Sequence, residues 1–285
     1  MARRRGWLRR VGGEIVRRLR QHDLMMMAAA IAFYWLLAVI PLLLLGTSAI
    51  GYLLGSSDRA VDEVMAAARR LIPRATGPDV DAFLRTLIQS RHVTGGLGLG
   101  FLLWVATGVF DIIATSLTVL TGGGEPRSFL RRKLVALVLM CTAGFLLLLT
   151  LMGGWVLAAW PNIEDLVGVR LALPAFLTDP SFPRYFTSVL MGILLTIVYR
   201  VAPVRDIRWP AAVTGAIVAA VLWHQVKVAF NWYLTHYARY SLLYGILGGF
   251  IGLVLWIFYT AIILLFGGML ADILDRGGRP QKPRG

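Results

Sequence analysis

Residues 24–54 form a run of thirty-one residues without a single charged side chain. Such a run crosses about 30 Å of hydrocarbon as a helix rising about 1.5 Å per residue. Within a bilayer the backbone satisfies its own polar groups only as a helix or a closed barrel, so this segment dictates a helical membrane fold. Five further apolar runs follow. The expected spans are about 24–54, 95–120, 134–160, 185–202, 209–234 and 247–273, the fourth only just long enough. Composition agrees: 58% of the 285 residues are hydrophobic and 15% charged, with a mean hydropathy of +0.70. A soluble domain carries about 45–50% apolar residues and about 25% charged.

The charge pattern orients the chain. Eight Lys and Arg lie in residues 1–23, four between spans two and three, three at the turn between spans four and five, and four in the tail. The loops on the other side hold nine although they are longer. Both termini are therefore expected on the cytoplasmic side. This accounts for the net charge of +14 without a nucleic-acid partner.

Residues 1–23 place Leu8, Val11, Ile15 and Leu19 at helical spacing, with Arg9, Arg10, Arg17, Arg18 and Arg20 on the remaining surface. That pattern fits an interfacial helix on an anionic lipid leaflet. The apolar run after it is about 30 residues long and lacks a small-residue cleavage pattern, so it is read as a retained first helix rather than a signal peptide. The first outer loop carries two apolar stripes, Val61 to Ile72 and Val80 to Ile88, separated by Pro73, Gly77 and Pro78. Two short amphipathic helices are expected there. The second outer loop, with Pro161, Pro174, Pro180 and Pro183, reads as irregular, and the tail 276–285 as disordered. The domain plan is thus a basic segment 1–23, a six-helix transmembrane domain 24–275 and the tail.

Ionisable groups inside spans are the first functional candidates, because burying them in a bilayer is costly. His224, Lys227 and Asn231 share one face of the fifth span, and Trp223 stands four residues from Lys227 and offers a π face. Such a stripe suits a polar cavity that holds an anionic group. The alternative is a lysine that snorkels to the interface. Asp111 in the second span is a candidate proton or cation site, or else a carboxylate bonded between helices. Pro41 is expected to kink the first span. Gly245, Gly248, Gly249 and Gly252 suggest a tight contact or pivot at the start of the sixth span.

Enzyme signatures are missing from the sequence. The four histidines, His22, His92, His224 and His236, lack metal-ligand spacing, and there is no Walker loop, nucleophile elbow or dinucleotide fingerprint. No enzymatic activity, cofactor or metal is expected. The lone cysteine, Cys141, excludes a disulfide framework and reads as a small core residue.

Several stretches together resemble the YihY/BrkB family of bacterial inner-membrane proteins. Ala32, Phe33, Tyr34, Pro41 and Leu42 match its first-span segment, with Ala38 where a serine is common. Glu125 and Arg127 resemble its E-x-R before a basic cluster, and YRVAP from Tyr199 resembles its Y-R-x-x-P. Phe230, Tyr233, Tyr240, YGILGG from Tyr244, Trp256, Tyr259 and FGG from Phe266 resemble its C-terminal signature. Met269 departs from the pattern, standing where an acid is common, with Asp272 three residues on. The resemblance implies six transmembrane helices and an inner-membrane location. Members have carried a ribonuclease label, which the residues here do not support, and have been linked to virulence, serum resistance and export. The expected function is transport or flipping of a lipid or other amphiphilic anionic solute. The alternative is a non-transporting envelope scaffold whose outer loop, near 58–88, meets a protein partner. Oligomeric state is not legible.

Overall fold

The computed structural model describes residues 2–21, 23–53, 91–124, 127–167, 182–236 and 245–277. All the regular structure among them is helical. The helices are α1 (Ala2–Gln21), α2 (Leu24–Leu53), α3 (Arg91–Leu120), α4 (Phe129–Val167), α5 (Phe182–Val201), α6 (Trp209–His236) and α7 (Gly245–Gly277). The chain is thus an all-α protein. The loop expected to hold two amphipathic helices, and the tail beyond 277, lie outside the described residues.

Hydropathy makes four of these helices candidate membrane spans. Leu103–Leu120, Phe129–Thr150, Trp209–Phe230 and Phe250–Gly277 are each long and apolar enough to cross a bilayer. Tyr185–Val201 is a shorter apolar helix, as its limited run of apolar residues predicts. α2 is a thirty-residue helix with no charged residue, and it continues through Pro41, whose side chain is outside those described. Large apolar side chains stand outward along these helices, among them Phe145, Leu148 and Met152 on α4 and Ile217, Val221 and Val228 on α6. Exposed apolar surface on this scale belongs to a protein that faces lipid rather than water.

Helix ends follow local chemistry. α3 closes in a Schellman motif: Gly123 N–H donates to Thr118 C=O (2.8 Å) and Gly122 N–H to Val119 C=O (3.2 Å). Gly122 has φ +85°, a left-handed conformation that costs a side-chain-bearing residue about 1–2 kcal/mol. α4 starts at Phe129, five residues before the expected span, because Ser128 offers its carbonyl to Arg132 N–H (3.0 Å) and the basic residues that follow suit a helix. It continues beyond Trp160, through Pro161 to Val167. Cys141 on α4 is exposed, not in the core as expected. It belongs to the outward apolar face that also carries Leu137, Phe145 and Leu148, where bilayer surroundings remove the need for protein burial.

The helices gather into two compact units. One comprises Met1–Asp23, Ile113–His224 and Ile263–Gly285; the other Leu24–Ile112 and Gln225–Ile262. The core of the first contains Leu117, Leu120, Leu139, Tyr199, Ile207, Leu265 and Met269, all fully enclosed. Its tightest seam is built on glycine. A Cβ on Gly215 would meet the Gly267 carbonyl at 2.6 Å, and one on Gly267 would overlap the Tyr199 hydroxyl and stand 2.7 Å from Ala219 Cβ. One on Gly268 would strike Leu117. The missing side chains let α3, α5, α6 and α7 approach closely. Tyr199 then donates its hydroxyl to Leu264 C=O (2.9 Å). In the second unit Tyr34 packs its ring where a Gly108 side chain would be, 2.8 Å from the would-be Cβ, and Phe230 meets Trp256 at 5.1 Å between ring centroids.

Candidate functional site

The densest chemistry in the first unit is a knot of ion pairs at one end, where the last turns of α3, α5 and α7, the start of α6 and helix α1 converge. Asp272, on α7, is completely buried. Its Oδ2 accepts from Arg18 Nη1 of α1 (2.8 Å) and from Arg276 Nε (2.7 Å). Arg205, in the turn between α5 and α6, stands 3.7 Å from its Oδ1. The same guanidiniums cap α3: Arg18 donates to Leu120 C=O (2.9 Å) and Arg276 to Thr121 C=O (2.6 Å). Carbonyls at a helix C-terminus have no intrahelical donor and carry partial negative charge, so cations are the natural partners there.

A second buried carboxylate, Asp275, holds the start of α6. Arg208 gives it its Nε–H at 2.7 Å and its backbone N–H at 3.3 Å, and donates through Nη2 to the Asp275 carbonyl at 3.1 Å. Arg127 plays the capping role for α5, donating to the carbonyls of Val201, Ala202 and Pro203 at 3.2, 2.8 and 2.7 Å. Burial lowers its affinity for its proton, the Arg131 charge adds to that, and Asp206 opposes it; a guanidinium stays charged regardless. On α1, burial raises the Glu14 pKa, but hydrogen bonds from Arg18 and Arg17 outweigh it and hold the carboxyl below its ordinary range.

The knot gathers motifs that are far apart in sequence. Arg127 of the E-x-R grips the carbonyls of the V-A-P that ends YRVAP, while Tyr199 of that motif seats on Gly267 and Gly268 of the FGG. The expectation for Arg18 is corrected here. It does not sit on the outer polar surface of α1 but is buried, 5% exposed, against the bundle. Helical spacing divides α1 into faces, yet it does not reveal that a neighbouring helix offers a buried acid. The only hints in the sequence are the Asp272/Arg276 spacing of four and the pairing of two acids with Arg205 and Arg208.

The sequence-derived candidates lie elsewhere. His224 and Lys227 are exposed on α6, with Trp223 half-buried beside them. Asp111 is half-buried on α3. The Asn231 side chain and the surroundings of Gly245, Gly248 and Gly249 lie outside the described residues. At Gly252 a Cβ would stand 3.8 Å from the Phe230 ring, an ordinary contact. Among the described residues no group of three His, Cys, Asp or Glu side chains is placed to hold a metal ion.

Apolar helices in series, an outward apolar surface and charge concentrated at helix ends define a multi-pass helical membrane protein. The chain belongs to the virulence factor BrkB family, whose profile matches residues 15–284. Relatives include the ribonuclease-like protein YfkH of Bacillus subtilis, 26% identical over 92% of this chain and 94% of its own length. A UPF0761 membrane protein of Chromobacterium violaceum is 24% identical over 92% of this chain and 61% of its own. One from Tolumonas auensis is 31% identical over 53% of this chain and 47% of its own. The chain therefore spans nearly all of YfkH but less than two thirds of these UPF0761 relatives. No solved structure matches it.

Proposed function

We propose that this protein moves a lipid or another amphiphilic anionic solute across the bacterial inner membrane, without enzymatic chemistry. In this reading both ends of the chain are cytoplasmic and α1 lies against the anionic leaflet. Its exposed Val16 and Leu19 enter the interface, and Arg17 and Arg20 meet the headgroups. The observation that carries the proposal is Lys227. It is an exposed cation inside the apolar stretch Trp209–Phe230, whose other exposed side chains include Ile217, Val221 and Val228. An ionisable group within an apolar span is costly and is a functional candidate by default. Lys227 would bind the anionic group, with His224 one turn away and Asn231 on the same face. Asp111 would couple the cycle to protons.

The test is transbilayer movement of headgroup-labelled phospholipids in liposomes containing the purified protein. Wild type is expected to move the label. Lys227→Met is expected to slow it by about tenfold or more, the factor that about 1.4 kcal/mol of lost binding produces, and Asp111→Asn to abolish its dependence on a proton gradient. Full flux in Lys227→Met would remove the assignment of Lys227. No wild-type flux with either anionic or zwitterionic lipids would reject lipid as the cargo.

A further inference from the structure

We propose that α1 is a strap, fastened across one end of the first unit by the Arg18–Asp272 pair and built to swing away about Asp23 when that pair opens. The proposal stands on the packing of this unit and not on the transport reading.

Three observations carry it. First, the fully buried anchor among the described side chains of α1, residues 11–21, is ionic, with Val11 and Ile15 only half-buried beside it. Among its described side chains Arg18 is the one that is buried, while Val16 and Leu19 are exposed. Its long-range hydrogen bonds among the described residues come from a single guanidinium nitrogen, Arg18 Nη1, to Asp272 Oδ2 and Leu120 C=O. A helix held by one ionic anchor opens at lower cost than one held by a packed face.

Second, Asp272 is equipped for the open state. Arg276, four residues on along the same helix, donates to Oδ2 at 2.7 Å, so one of the carboxylate's partners does not belong to α1. Oδ1 is buried and accepts no hydrogen bond in the closed arrangement. Arg205 stands 3.7 Å from it, beyond hydrogen-bond reach, with its side chain 28% exposed. Among the described residues Arg205 makes no hydrogen bond. When Arg18 leaves, Arg205 can close on Oδ1 and the buried charge keeps two guanidiniums. The carboxylate thus has two discrete sets of partners, which is what a switch requires.

Third, Arg18 has somewhere to go. It retains Glu14, one turn away at 3.0 Å, and on release it joins exposed Arg17 and Arg20 on one basic helix. One more cation turned toward an anionic lipid surface strengthens the attraction of this basic helix, so anionic lipid draws the strap open.

The experiment is a spin–spin distance measurement in lipid nanodiscs, with labels on Val16→Cys and Leu130→Cys in a Cys141→Ser background. In phosphatidylcholine the otherwise wild-type protein is expected to show one narrow population. Phosphatidylglycerol is expected to add a second, longer one. Asp272→Asn is expected to raise the open-to-closed ratio roughly a hundredfold, the scale on which losing one partner of a buried ion pair acts. Arg205→Gln is expected to do the opposite, holding α1 closed even in phosphatidylglycerol, because it removes the open-state partner. A merely structural ion pair would not give that reversal. Arg127→Gln, which uncaps α5, is expected to leave the distance unchanged. If Asp272→Asn does not fold, Arg18→Gln serves in its place, since it leaves Asp272 with Arg276 and Arg205. An unshifted distribution in a folded Asp272→Asn or Arg18→Gln protein would overturn the proposal, as would opening in Arg205→Gln.

Discussion

Gly122 shows how a single atom sets the end of a helix. Its φ of +85° closes the Schellman motif of α3, and a Cβ there would stand 2.5 Å from Arg276 Nη2. Gly122→Ala is therefore expected to lower stability by about 1–2 kcal/mol from backbone strain alone, read as a fall in Tm in detergent. Glu14 makes the second residue-scale prediction. Burial raises its pKa, but hydrogen bonds from Arg18 and Arg17, aided by their charges, leave it below the ordinary glutamate value. A depressed carboxylate contributes stability above its unfolded pKa and loses it as pH falls through the folded one. The Tm of wild type should therefore drop more than that of Glu14→Gln as the solution is acidified below about pH 4.5; parallel profiles would contradict this. At this scale the sequence is least legible. Eight basic residues in the first 23 obey one positive-inside rule, and nothing in their spacing separates Arg18 from Arg17 or Arg20. The distinction comes from Asp272, 254 positions away. Met269 is fully buried one turn before Asp272, on the same face of α7. The carboxylate in use thus sits one turn nearer the helix end than Met269, the position where the family resemblance leads one to expect an acid.

Elements were easier to read than contacts. Long uncharged runs become long helices because a bilayer leaves the backbone no alternative. Helix ends shifted where local capping ruled, as at Ser128. Glycine was harder to place. Of the cluster at 245–252, Gly245, Gly248 and Gly249 lie outside the described side chains and Gly252 makes an ordinary contact; the described seam that demands missing side chains is at Gly215, Gly267 and Gly268. A small-xxx-small pattern marks helices that are able to pack tightly, while the partner surface decides where they do so. Gly267→Val is expected to force α7 away from Tyr199 and Ala219 and to cost at least about 1–3 kcal/mol, as overpacking does. Its Tm should fall well below that of Gly252→Val, because Gly252 has only an ordinary contact. Equal losses at the two positions would show that the 267–268 seam is not the tight one.

Across the whole molecule two settings of cations stand out among the described residues. The arginines of the knot are paired with carboxylates and helix-end carbonyls, and so fix how one end of the first unit is assembled. Lys227 stands in an apolar span, where the proposed function has it bind the cargo. The topology rule treats the knot arginines as loop charges, because a count carries no information about partners. The most direct check of this account is a double-mutant cycle on Arg18 and Asp272. Unfolding would be measured in detergent for wild type, Arg18→Gln, Asp272→Asn and the double variant. The account predicts a coupling of about 1–3 kcal/mol, with the double variant losing much less than the two single losses added. Losses that add within about 0.5 kcal/mol would mean the two side chains act independently, and the ionic knot would not be what holds α1 to the bundle.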